Sequence, residues 1–241
     1  PVVSSSNFRI TNPPSKLVLQ GSTSSVGTAG VALTAPPKLA VQDNLGNVVT
    51  LDNSMVTLTL SSGVFATTGT NTVTCQVVNG IAAFGPIIIN KTGTYTMTAT
   101  DGALTSVTTA AVTIAPAAAA KMVLLQAPTT GVAGATLNPS LNIAVQDQFG
   151  NLSTAYTTVT LTLNTGLFTT GLKTASANTT TGVVSFSTLA IRTAGALTLT
   201  ATTGTLPSIS TGVIITPAAA SKLVFSQQPP ATGVAGVALS S

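Results

Sequence analysis

Val41-Gln42-Asp43-Asn44-Leu45-Gly46-Asn47 occurs a second time in the chain, as Val145-Gln146-Asp147-Gln148-Phe149-Gly150-Asn151. The first copy begins at residue 41 and the second at residue 145, an offset of 104 residues that suits one small β domain. Apolar residues alternate with polar or small ones ahead of each copy, which predicts a half-buried strand. The repeat therefore predicts two modules of one kind, each built around a strand that ends in this turn.

The residues of the repeated turn are predicted to be structural. An aspartate stands at the first turn position and a glycine at the fourth, which is the residue signature of a type I turn. The carboxylate can accept hydrogen bonds from the backbone N–H groups just ahead, and the Gly-Asn pair tolerates positive φ. We therefore expect six turn residues: Asp43, Gly46 and Asn47 in the first copy, and Asp147, Gly150 and Asn151 in the second.

The composition favours two aliphatic cores under an uncharged polar surface. The chain has 241 residues, of which 44% are hydrophobic but only 4% aromatic and 5% charged. Charged residues usually make up about 25% of a globular protein, so Thr, Ser and Asn must solvate this surface. Two modules of about 100 residues can each bury a core without disulfides. We do not expect disorder, since disordered chains are poor in β-branched apolar residues.

Charge and cysteine usage exclude several classes of function. The net charge is +4, but the eight basic residues are scattered along the chain, so we expect no nucleic-acid partner. Cys75 is the single cysteine and corresponds to Ala177 in the second copy; it is predicted to be a small strand residue, with an intermolecular disulfide as the alternative. No apolar run approaches about 20 residues, so no membrane span is expected, and the start of the chain lacks a signal-peptide pattern.

Strand and turn signals predict an all-β fold of tandem immunoglobulin-like β-sandwich modules of about 100 residues. Met55 to Leu60 alternates cleanly, Asn79-Gly80 is a hairpin signal, and Thr94 to Thr100 and Val107 to Ile114 are each expected to form one strand. The predicted organisation is the last strand of a preceding module at 1–13, module 1 at 14–116, module 2 at 117–217, and the first strands of a following module at 218–241.

The turn and the later strands of each module resemble the bacterial immunoglobulin-like repeats of the invasin and intimin type. The resemblance is carried by Val-Gln-Asp before Gly-Asn, by the 79–84 and 93–100 segments, and by 182–186 and 195–202 in the second copy. It implies a large bacterial protein, extracellular or on the cell surface, in which tandem modules form a stalk that holds an adhesive tip away from the cell. Its motifs specify turns and core positions.

Few residues are candidates for chemistry. The chain has no His and no Glu, and its four acids are Asp43, Asp52, Asp101 and Asp147, so we predict no catalytic site, no cofactor and no enzyme activity. A Ca²⁺ ion at the module junctions is the alternative considered for the acids, since Ca²⁺ binds several oxygen ligands.

Glycans could act as modifications or as ligands. The acceptor pattern for N-glycosylation occurs at Asn90, Asn151 and Asn178, and sugars there would help to solvate a weakly charged surface. Carbohydrate binding usually employs exposed aromatic residues; Tyr95 aligns with apolar Leu197 and is expected in the core, which leaves Tyr156 as the available platform.

The sequence thus predicts a structural segment of a long extracellular stalk, filament or fibre. An incomplete module cannot bury its own apolar face, so we expect the end segments to pair with neighbouring modules or subunits, head to tail. The alternative is an adhesin or carbohydrate-binding segment of a cell-surface protein, which predicts a surface feature in one copy that the other lacks.

Overall fold

The computed structural model describes residues 12–228 and 231–238, and every regular element within these ranges is a β-strand. Within them, no helix has the length and apolar character that crossing a membrane requires. The predicted strand at 1–13 lies outside the described residues apart from Asn12 and Pro13.

Module 1 packs two layers of antiparallel strands around one core. One layer has the strand order β1-β3-β6, and the other consists of the groups β2-β10-β7 and β5-β4-β8-β9. β2 pairs in parallel with β10 at the edge of its layer, and Lys16 of β1 forms an isolated parallel bridge with Thr105. The strands are β1 (Lys16–Leu19), β2 (Val26–Thr28), β3 (Lys38–Gln42), β4 (Met55–Leu60), β5 (Thr72–Gln76), β6 (Ile81–Ala83), β7 (Gly93–Tyr95), β8 (Met97–Thr100), β9 (Val107–Thr108) and β10 (Val112–Ala115).

Module 2 repeats this arrangement with a continuous second layer. Its sheets have the strand orders β11-β13-β16 and β12-β18-β17-β14-β15, and β12 again pairs in parallel with the last strand. This is an immunoglobulin-like sandwich, as the sequence predicted. The strands are β11 (Ala119–Gln126), β12 (Thr130–Val132), β13 (Leu141–Asp147), β14 (Thr158–Leu163), β15 (Thr174–Asn178), β16 (Val183–Phe186), β17 (Gly195–Thr202) and β18 (Ile209–Thr216).

Each module has its own hydrophobic core between its two layers. The alternation predicted for β4 is confirmed, since Val56, Leu58 and Leu60 are buried while Met55 is exposed. Phe65 in module 1 and Phe168 in module 2 are the most deeply buried aromatic side chains of the two cores, and Phe84, Tyr95 and Phe186 are buried as well. Aliphatic side chains fill the remaining space, as the low aromatic content requires.

Two strands predicted to be continuous in module 1 are each divided by a bulge. Tyr95 pairs with Val112 but Thr98 pairs with Thr108, so the register shifts by one residue between them. The hydroxyl of Thr109 accepts a hydrogen bond from the backbone N–H of Met97 and interrupts the ladder. Module 2 has one residue fewer here, and β17 and β18 pair without a shift. The strands predicted at 94–100 and 107–114 are therefore each present in two parts, and the predicted buried face of Tyr95, Met97 and Ala99 is confirmed.

Hydroxyl pairs link neighbouring strands on the outer face of the second layer of each module. Their oxygen atoms lie 2.9–3.3 Å apart, and the pairs join β7 with β10, β8 with β9, β14 with β15 and β17 with β18. Such cross-strand pairs stabilise a sheet without any charged group. The pairs are Thr94–Thr113, Thr98–Thr108, Thr160–Ser176 and Thr200–Ser210.

The segment after β18 forms no strand in its described part, 217–228 and 231–238. Leu223, Val224 and Phe225 are largely exposed there. The matching segments 16–19 and 121–124 pair with β3 and β13 of their own modules. Residues 222–225 have no such partner within the described chain, so the assignment of 218–241 to a further module stays a prediction.

Candidate functional site

The turn that follows β13 is organised by one buried carboxylate. Asp147 is fully buried, and its Oδ1 accepts hydrogen bonds from the backbone N–H groups of Phe149 and Asn151, both at 2.9 Å. Its Oδ2 accepts from the Asn151 side-chain amide at 2.8 Å and from the Ala117 N–H at 3.0 Å. Gly150 closes the turn with a φ of 80°, which a residue with a Cβ rarely adopts. Asp147 thereby ties the turn to the linker that enters module 2.

The hydrogen bonds to Asp147 also set its acidity. Burial favours the neutral acid and so raises the pKa, but the donors on Asn151, Ala117 and Phe149 outweigh this effect and the pKa lies below its ordinary value. These donors satisfy the ionised carboxylate, so Asp147 is a stable anion at neutral pH and a poor general base.

Asp43 organises the matching turn of module 1 with a different fourth donor. Its Oδ1 accepts from the N–H groups of Leu45 and Asn47, and its Oδ2 from the Asn47 side-chain amide at 3.1 Å. The linker here is Pro13-Pro14, which has no N–H group, and the side-chain amide of Asn12 donates to Oδ2 at 3.1 Å instead. The hydrogen bond from the Asn47 side-chain amide lowers the pKa of Asp43. The other donors add to this effect, and burial opposes it.

The turn of module 2 also contacts module 1, and Asn151 makes the polar part of this contact. Its Oδ1 accepts a hydrogen bond from the backbone N–H of Thr92 at 3.1 Å, and its Nδ2 donates to the carbonyl of Asn90 at 2.8 Å. The Lys91 ammonium donates to the carbonyl of Phe149 at 2.6 Å. One asparagine therefore links the Asp147 turn to the 90–92 loop of the preceding module.

Phe149 makes the apolar part of the contact. The ring belongs to the module 2 turn but packs against the core cluster of module 1. It lies over Gly30, where a Cβ atom would stand 2.3 Å from the ring Cζ, well inside the closest separation that carbon atoms allow. Gly30 thus provides the space for the ring. We call this set of contacts the junction: Gly30 and the 90–92 loop on module 1, and Phe149 and Asn151 on module 2.

Tyr95 holds the module 1 side of the junction in place. Its ring is buried, as the sequence predicted, and burial raises the pKa of its hydroxyl. The hydroxyl donates towards the carbonyls of Lys91 at 3.0 Å and Thr92 at 3.3 Å. It thereby stabilises the loop that hydrogen-bonds with Asn151. Leu197 occupies this position in module 2 and has no hydroxyl.

The structure places the three glycosylation candidates in different surroundings. Asn151 is 5% exposed and its amide is engaged by Asp147 and by module 1, so a glycan there would break the junction and that assignment is corrected. Asn90 is half-buried beside it. Asn178 is exposed on β15, where its Oδ1 accepts from the Thr158 hydroxyl at 2.7 Å, and it stays a predicted acceptor.

The remaining candidates belong to other parts of the two modules, and two of them share a hydrogen-bond partner. Cys75 is half-buried on β5, and its thiol points to the carbonyl of Ala83 at 3.2 Å. Tyr156 is 75% exposed in the loop before β14. Asp52 and Asp101 lie on either side of the Ser54 hydroxyl. The described residues contain no group of three or more His, Cys, Asp or Glu that could hold a metal ion, and Ca²⁺ binding at the junction stays a prediction.

Module 2 has a groove on its surface. It lies between β15 and β16 and is lined by small, hydroxyl, aliphatic and aromatic side chains such as Ser185, Leu189 and Phe186. Its lining has no acid, no basic residue and no thiol, so it offers no group for acid–base chemistry.

Sequence reasoning found the two turns but missed the junction that one of them forms. The patterns that reveal the turns do not point to Gly30 or Lys91, and they predict only a core position for Tyr95. One signal was available: Gly30 and Gly134 stand at the same position of both copies, as do the large apolar residues Leu45 and Phe149.

Neither models of known protein families nor curated proteins give a match to the chain. Among solved structures it is similar to the Yersinia pseudotuberculosis adhesin InvE, at 15% identity and a TM-score of 0.37, over 83% of this chain and 58% of that one. It is similar to invasin, a bacterial integrin-binding protein, at 18% identity and a TM-score of 0.35, over 84% of this chain and 39% of that one. The D0-D1 domain of intimin gives 18% identity and a TM-score of 0.30, over 84% and 98% of the two chains.

The first two of these proteins are considerably longer than the part that the chain matches. Family 2 glycosyl hydrolases are also among the similar structures. Identities and TM-scores this low leave the function to be argued from the chain itself.

Proposed function

We propose that the chain is a structural repeat segment of a long extracellular bacterial stalk, filament or fibre, in which the junction fixes each module against the one before it. The observation that carries the proposal is the packing of Phe149 over Gly30 together with the two hydrogen bonds that Asn151 makes to the 90–92 loop. A flexible tether between independent modules needs no such contacts.

The chemistry of the chain supports this role over catalysis. Two of the four acids are occupied as hydrogen-bond acceptors within the repeated turns, and the groove of module 2 lacks titratable groups. The residues shared by both copies serve turn geometry and burial, which is what a repeat needs in order to be stacked many times.

NMR relaxation of the full chain tests the proposal. If the junction is rigid, the amides of both modules report one common tumbling time. The Phe149→Ser variant should separate the two times, because it removes the ring that packs on module 1. Leu152→Ser is the matched control, because Leu152 lies close to Phe149 in the chain but is 42% exposed. Its counterpart in module 1, Val48, lies outside the junction and is 40% exposed, so the junction does not bury Leu152. Independent tumbling of the wild-type modules would refute the proposal.

The second candidate is an adhesin or carbohydrate-binding segment, and Tyr156 is the observation that favours it. The exposed ring stands on module 2, where module 1 has a different loop, so it is a feature of one copy alone. Glycan-array binding that is lost in Tyr156→Ala would support this function. Equal binding or no binding by both proteins would leave the structural role as the better account.

A further inference from the structure

Asn151 and Phe149, the two turn residues that contact module 1 at the junction, have exposed counterparts at the front of module 1. Asn151 is 5% exposed, whereas Asn47 is exposed. Phe149 is half-buried, whereas Leu45 is 74% exposed. Asp43 holds both residues in the same turn conformation that Asp147 imposes, so the front surface of module 1 is preformed. We call it the plug.

The back of module 2 shows the complementary difference. Gly30 is half-buried under Phe149, whereas Gly134 is exposed and a Cβ atom there would meet nothing within 4 Å. Gly134 has nevertheless the same backbone as Gly30, with φ of 83° and 77°, and its N–H donates to Ile191 as that of Gly30 does to Ile89. We call this surface, Gly134 with the 192–194 loop, the socket.

We infer that the plug of one chain binds the socket of a second copy, so that the chain associates head to tail through a repetition of its own internal junction. The occupant is defined by the interface already seen within the chain, where the same two kinds of surface are joined. The contact is heterologous, so it leaves a free plug and a free socket at the ends and can extend into a filament. The inference rests on the proposed function and gives it a means of assembly.

The strength of the contact between separate chains is expected to be modest. Within one chain, a short linker supplies an effective concentration of about millimolar. A contact with a dissociation constant of about that value therefore suffices to close the internal junction. Sedimentation equilibrium of the full chain from about 10 μM to about 1 mM brackets this value. The mean mass should rise with concentration above the 23.7 kDa of a single chain.

Two variants each remove one surface. Leu45→Asp places a charge on the plug. Gly134→Asn blocks the socket and keeps its backbone, because asparagine tolerates positive φ better than other residues with a Cβ. Each variant alone should remain at 23.7 kDa, whereas an equimolar mixture should form a dimer of twice that mass, since each partner keeps the surface that the other lacks. Met55→Asp, at a position 52% exposed on β4, is the control and should associate like the wild type.

The result that overturns the inference is a wild-type chain that stays monomeric up to about 1 mM, the effective concentration of the linked contact. A mixture of the two variants that forms no dimer also overturns it, as does loss of association in Met55→Asp. These failures are distinguishable from failure of the proposed function, because common tumbling of the two modules in one chain would remain. Melting temperatures near the wild-type value verify that each variant is folded.

Discussion

Replacing Gly30 by alanine should open the junction while leaving both modules folded. Gly30 and Gly134 have nearly the same left-handed φ, so Gly134→Ala is a matched control for the backbone cost. That cost is roughly 1–2 kcal/mol at either position. Only at Gly30 does the added methyl group meet a ring, at 2.3 Å from the Cζ of Phe149. The difference between the two variants therefore measures the junction.

The size of this difference follows from the contacts that are lost. Carbon atoms pack at about 3.5–4 Å, so the ring of Phe149 must withdraw by more than an ångström. Full truncation of a buried Phe costs about 3–5 kcal/mol, and for this half-buried ring we expect about 2 kcal/mol. If Asn151 moves with the turn, its two hydrogen bonds to module 1 add about 1 kcal/mol each.

The backbone amide of Thr92 provides a direct assay. It donates to Asn151 across the junction, so its hydrogen exchange reports how often the junction opens. A loss of about 2 kcal/mol corresponds to about 30-fold faster exchange in Gly30→Ala, and a loss of about 4 kcal/mol to about 1000-fold. In Gly134→Ala the rate of hydrogen exchange at Thr92 should stay within about twofold of the wild type. The backbone cost of this substitution acts at the end of module 2 that lies away from the junction.

A third variant tests the cause of the opening. In the background of Phe149→Ala, Gly30→Ala should no longer accelerate the exchange of Thr92, because the ring with which the methyl group collides is absent. The reasoning is refuted if Thr92 exchanges without protection in the wild type, or if Gly30→Ala and Gly134→Ala accelerate it equally.

Three further outcomes follow from the structure. Folding lowers the pKa of Asp147, so the ionised carboxylate stabilises the folded state fully above the unfolded pKa of about 3.9, and this stabilisation is lost as the pH falls through the folded pKa. Asp147→Asn should therefore flatten the fall in melting temperature below about pH 4. Parallel melting curves of the variant and the wild type against pH would contradict this. Tyr95→Phe removes the donor to Lys91 and Thr92 and should cost about 1 kcal/mol, with faster Thr92 exchange; an unchanged rate would argue against the brace. Phe168→Ala should cost module 2 about 3–5 kcal/mol in chemical denaturation followed by NMR, while module 1 unfolds as before; a cost below about 1 kcal/mol would contradict its role in the core.

Sequence patterns predicted the features of the fold that depend on residues close together in the chain. The alternation in β4 predicted which side chains are buried, because a strand of a sandwich has one face in the core and one in water. Asn79 and Gly80 have φ of 52° and 76°, as a two-residue hairpin turn at this dipeptide requires. The carboxylate of Asp147 bonds residues two and four positions ahead, which turn chemistry alone suggests.

The rest depended on contacts between distant residues. The bulge of module 1 arises from one extra residue opposite β7 and β8, and alternation within a single strand carries no sign of it. The hydrogen bonds of the junction join residues 58 to 61 positions apart, such as Lys91 with Phe149 and Asn90 with Asn151. Its apolar contact joins Gly30 with Phe149, which lie farther apart still, and only the packing of the two modules brings these residues together. Asn151 matched a glycosylation pattern, but the pattern does not report that the side chain is buried.

The hydroxyl pairs on the outer faces have a consequence for the conditions that the protein withstands. Dissolved ions weaken attractions between exposed charges that lie farther apart than the Debye length of about 8 Å in physiological salt, but they have little effect on a pair of neutral hydroxyl groups. With 5% charged residues, the surface offers few electrostatic attractions for ions to weaken. These hydroxyl pairs are therefore expected to persist in fresh water and in brine alike.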